Sequence, residues 1–88
     1  MKKYYAKLIP TKKGFVTDMR ELFKVFDDGD KWVEWVNYPQ KNAYVCQISV
    51  ITSCKAHKCK KLVAVMRKDK IYLVRRDMID IFRIETGL

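Results

Sequence analysis

The chain has 88 residues, 49% of them hydrophobic, with three glycines, two prolines and a formal net charge of +9. A chain this short supports one hydrophobic core, so residues 1–88 are read as a single domain, and so apolar a composition excludes a disordered tail. No apolar run approaches the roughly 20 residues that cross a bilayer, and the basic start Met1-Lys2-Lys3-Tyr4-Tyr5 has no apolar segment behind it. A cytoplasmic protein without a membrane partner is expected.

Taken in order, residues 2–9 alternate loosely and read as a first strand, which Pro10 is expected to end before a basic turn at 11–14. Thr17 or Asp18 is expected to cap a helix, and Asp18 followed by Glu21 is a capping-box pattern. Met19, Leu22, Phe23 and Phe26 then repeat at the spacing of one helical face, so 18–26 is the one clear helix. Asp27-Asp28-Gly29-Asp30 stops it as a solvated turn, lacking the 12-residue ligand pattern of a calcium loop. Residues 31–38 are rich in aromatic and β-branched side chains and precede Pro39, which favours a strand with Trp32 and Trp35 on opposite faces. One of these indoles is a candidate for stacking on a base or filling a partner's pocket.

Residues 44–53 read as the clearest strand, with Tyr44, Cys46, Ile48 and Val50 on one face, hairpinned to the strand before it. Two more strands follow at 62–67 and 71–76, apolar on both sides. One helix covers one face of a small sheet. The other face must be shielded by the C-terminal segment or by another molecule, so a homodimer is expected. Residues 77–85 fit either a short helix capped by Asp77, with Met78, Ile79 and Phe82 inward, or a last strand. The fold expectation is α+β: one amphipathic helix on a four- to five-stranded, mainly antiparallel sheet in the order β-α-β-β-β-β.

Charge is segregated along the chain. Residues 1–17 hold five lysines and no acid, residues 18–34 hold six acids against three bases, and residues 35–76 hold ten bases against Asp69 alone. A basic surface so concentrated makes a polyanion the expected partner. Lys55, Lys58, Lys60 and Lys61 fall in one link, Arg67, Lys68 and Lys70 around the next, and Arg75 and Arg76 at the following strand end. His57 and Tyr72 are the flat rings among them. Phosphate contacts and ring stacking then point to RNA or single-stranded nucleic acid. The predicted helix is too acidic to enter a duplex groove.

Cys46, Cys54, His57 and Cys59 raise the question of zinc, but two ligand knuckles across a spacer are missing, so no metal or other cofactor is expected. The surrounding lysines are expected to lower the thiol pKa values of Cys54 and Cys59. His57 is the single histidine and has no nearby acid, and no glycine-rich phosphate loop exists, so no enzyme is expected. The small size and lysine and tyrosine content resemble those of small phage-encoded proteins that disable a host factor. That likeness implies a rival reading: an inhibitor docking on a host protein or ribonucleoprotein, for example a toxin ribonuclease, directly or through shared RNA.

Overall fold

In the computed structural model, which describes residues 1–88, the chain runs β1 (Lys3–Tyr4), β2 (Leu8–Thr11), β3 (Gly14–Thr17), α1 (Met19–Leu22), β4 (Trp32–Trp35), α2 (Ala43–Ala56), β5 (Leu62–Arg67), β6 (Lys70–Arg75) and α3 (Ile79–Thr86). The architecture is α+β. A four-stranded mixed sheet has the order β1-β4-β6-β5, with β1 parallel to β4 and the other pairs antiparallel, while β2 and β3 form a separate hairpin.

The longest element, α2, replaces the strand expected at 44–53. Asn42 starts it: its side-chain oxygen accepts the Val45 N–H at 2.9 Å. Ala43, Cys46 and Val50 are its buried residues, a helical spacing that the outward apolar residues Tyr44, Val45, Ile48 and Ile51 obscured. The expected hairpin with the preceding strand is accordingly absent, and β4 pairs instead with β6, in the register Val33↔Leu73.

The helix expected at 18–26 is also shorter. Asp18 does cap it, accepting from the N–H groups of Arg20 at 3.2 Å and Glu21 at 3.4 Å. Only one α-turn forms, after which Lys24, Val25 and Asp27 donate to carbonyls three residues back, so the segment tightens into successive turns that bury Leu22 and Val25. Pro10 does not end its strand; it lies within β2 opposite Phe15, where a two-stranded ribbon has free edges and a missing N–H breaks no ladder. The break comes earlier, around Ala6. The Asn37 side chain takes the place of a strand partner there, accepting the Ala6 N–H at 2.8 Å and donating to the Ala6 carbonyl at 2.9 Å. The same oxygen accepts the Trp35 indole N–H at 2.9 Å.

Two cores lie on the two faces of the sheet. Val33, Trp35, Ile71 and Leu73 meet Cys46 and Val50 of α2 together with Leu22 on one face, and Val65, Tyr72 and Val74 meet Phe82 of α3 on the other. The C-terminal segment is therefore a helix, and it supplies from within the chain the shield that the second face needs. Gly87, at φ 72°, ends α3. No helix is long and apolar enough to cross a membrane.

Candidate functional site

The basic residues gather where α2 ends. α2 closes in a Schellman motif, in which Cys59 N–H donates to the Cys54 carbonyl at 2.9 Å and Lys58 N–H to that of Lys55 at 3.3 Å. The motif places Lys58 in the left-handed region at φ 53°. From there the chain crosses to β5, and Arg76 ties the crossing down: its N–H donates to the Lys61 carbonyl and its Nε to that of Lys60, both at 2.9 Å.

These turns and the edge of β5 enclose an open groove of about 780 Å³. Its floor is aliphatic, from Val50, Ile51, Leu62, Val63 and Ala64, and its charged lining is Lys55, Lys58, Lys60 and Arg76, with no carboxylate. None of these four cations makes an ion pair; the ion pairs of the chain are Lys2–Asp30, Lys7–Asp18 and Arg75–Asp77. Lys61 adjoins the groove beside Lys60, Arg75 and Arg76, in a shallower depression that also holds Asp27 and Asp77.

The other sequence-derived candidates part company. Arg75 is held by Asp77, Nε to Oδ1 at 2.7 Å and Nη2 to Oδ2 at 3.2 Å, and the paired arginine keeps the Asp77 carboxyl below its usual range. Arg67 serves the fold: its guanidinium donates to the Leu88 carbonyl at 2.9 Å and the Met66 carbonyl at 2.7 Å. Lys68 and Lys70 are exposed at the β5–β6 turn, a strand length of about 17 Å from the groove. Tyr72 offers no free ring; it is 6% exposed and packed on Phe82 with ring centres 5.7 Å apart. His57 is exposed, with its ring leaning on Phe23 and its Nδ1–H donating to the Ser53 carbonyl at 2.9 Å. Neither tryptophan is a free stacking surface: Trp35 is 1% exposed and Trp32 is half-buried edge-on to Phe82.

Burial also reverses the expectation for one thiol. The Cys54 pKa is pushed up to about 11 because desolvation and the neighbouring Cys59 outweigh the pull of Arg76, and desolvation pushes Cys46 up to about 12. Cys46 is in the core under α2, and no three His, Cys, Asp or Glu side chains converge as a metal would require.

The sequence reading missed the aliphatic floor, because treating 44–53 as a strand separates Ile51 and Cys54 from β5. The spacing Ala43, Cys46, Val50, Cys54 behind an Asn cap was the signal that joins them.

No family model, curated protein or solved structure matches this chain. The chemistry of the groove has to speak for itself. It offers donors and positive charge above an apolar base, which suits capture of an anion.

Proposed function

We propose that the protein is a non-catalytic binder of RNA or single-stranded nucleic acid, engaging the phosphate backbone through Lys55, Lys58, Lys60, Lys61 and Arg76. The observation that carries this reading is the gathering of unpaired cations around the end of α2, in a chain whose acids lie mostly elsewhere. Lys58 adds weight. A left-handed residue at this point of a helix end is most easily glycine, and a lysine kept there in its place is understandable where its charge is needed. With Tyr72 and Trp35 buried and Trp32 half-buried against Phe82, affinity rests on phosphate contacts rather than stacking, and sequence preference is weak.

The test is titration of labelled single-stranded RNA at a series of salt concentrations. Neutralising four phosphates gives a slope of log affinity against log salt of about −3. The triple variant Lys58→Glu, Lys60→Glu, Lys61→Glu is expected to abolish retention with the circular dichroism spectrum unchanged. Undiminished binding by that variant removes the proposal. A second reading, docking on a protein, is favoured by one specific feature, the apolar surface of α2 that continues from the groove.

A further inference from the structure

α2 is apolar on both its inner and its outward side, yet the fold covers only the inner one. Its inner side lies on the sheet, and its flank at Ser49 and Ser53 faces the β2–β3 hairpin and Gln40. The outward side carries Tyr44, Val45, Ile48 and Ile51, which are 59%, 42%, 44% and 38% exposed. At helical spacing Tyr44, Ile48 and Ile51 form one stripe, and Ile51 carries it into the groove floor of Leu62, Val63 and Ala64. The helix holds no charged residue before Lys55, in a chain of which 33% is charged. A continuous apolar band of this kind, rimmed by charge, marks an interaction surface.

The rim identifies the occupant. Lys41 precedes the helix, and Lys55, Lys58, Lys60 and Arg76 close its far end, all exposed and without an acid in the groove lining. A second copy of a +9 chain brings cation against cation there. A nucleic acid matches the rim, but the groove floor is aliphatic, and the one ring of the band, Tyr44, lies at the far end of α2 from Lys55, Lys58, Lys60 and Arg76. The stripe and its basic end run from Tyr44 to Lys55 along α2, about 17 Å, the footprint of a few turns of another helix.

We propose that this band and groove are the docking site for an acidic amphipathic helix of a partner protein, its aliphatic stripe on Ile48, Ile51 and Val63 and its carboxylates toward Lys55, Lys58 and Arg76. Burial of the stripe supplies affinity, and the carboxylates fix direction and exclude basic helices. The site shares Lys55, Lys58 and Arg76 with the nucleic-acid reading, so the two occupants compete at the rim, and the apolar band is the part that reading does not use.

The test uses the full chain and a synthetic helix of about 18 residues with leucines at i, i+3, i+4 and i+7 and glutamates elsewhere. Two controls replace every glutamate with lysine or scramble the leucine spacing. Saturable amide shifts over residues 43–56 and 62–64 are expected, with the acidic helix binding at least about tenfold tighter than either control. Ile48→Ser is expected to weaken the acidic helix by about tenfold while leaving single-stranded RNA affinity within about twofold. Equal binding of the three peptides, shifts confined to other surfaces, or concentration-dependent dimerisation that occludes α2 each overturn the proposal. So does an equal loss of RNA affinity in Ile48→Ser, which assigns the band to nucleic acid. Loss of RNA binding in the triple glutamate variant tests the other reading and leaves Ile48 as the separate measure of this one.

Discussion

Lys58 and Gly87 occupy equivalent positions just past the ends of their helices, with φ of 53° and 72°. Glycine adopts this conformation freely, whereas a residue with a Cβ pays about 1 kcal/mol. Lys58→Gly is therefore expected to raise stability by about 1 kcal/mol in urea unfolding and to weaken RNA binding at the same time. A variant that gains stability without losing affinity shows that the charge at 58 is idle. The residue scale also shows where composition misleads. Lysines flank Cys54 in sequence, but its packing on the core desolvates the thiol, and that cost with the neighbouring Cys59 outweighs the pull of nearby positive charge, so burial sets its pKa. Whether a side chain is buried is not a property of its neighbours along the chain. Tyr72 makes the same point, being surrounded in sequence by basic residues and covered in space by Phe82.

At the scale of elements, the strands expected at 62–67 and 71–76 were legible as short apolar runs separated by the charged link 68–70, and the structure moves the second by one residue to 70–75. Lys68 and Asp69, at φ 50° and 62°, form the left-handed pair that a tight hairpin demands. α2 was not legible in the same way. Its β-branched residues favour a strand, its apolar residues satisfy both periods, and the Asn42 cap plus tertiary burial tipped the balance to a helix. Asn37 shows how a single side chain can govern an element. Through three hydrogen bonds it holds the Ala6 segment and the Trp35 indole, and through them the root of the β2–β3 hairpin. Asn37→Ala is expected to lower stability by about 2–3 kcal/mol, since it leaves part-buried donors and an acceptor unpaired. Hydrogen exchange checks the location: protection falls first in residues 6–17, and uniform loss across the sheet contradicts a local clamp.

For the whole molecule, α3 is decisive although it has eight residues. Phe82 is fully buried against Tyr72 and edge-on to Trp32, and so closes the second face of the sheet. Phe82→Ala is expected to cost about 3–5 kcal/mol, most of the stability of a domain this small. Thermal unfolding measures it. A loss below about 1 kcal/mol indicates that the second face is held by something other than α3. With that face covered internally, the outward side of α2 is one apolar surface the fold leaves open, beside Ile9, Phe15 and Val16 of the β2–β3 hairpin and Ile81 and Ile84 of α3. The dimer inferred from an uncovered sheet thus loses its premise, and interest shifts from the sheet to the helix.

The sequence by itself determined the α+β class, the β5–β6 hairpin, the cap at Asp18 and the concentration of positive charge between residues 35 and 76, because each depends on local pattern or simple counting. Only the tertiary structure decided that 43–56 is a helix and which cations share a groove. It also buried Tyr72 and Trp35, set Trp32 half-buried against Phe82, and placed Arg67 and Arg75 in structural contacts. The physical reason is that burial and pairing are set by residues far apart in sequence. An apolar run compatible with two periods takes the one that the opposing sheet can cover. A cation is available only when no distant carboxylate pairs it and its charged end stays exposed, as for Arg76, which donates to the Lys60 carbonyl through Nε alone.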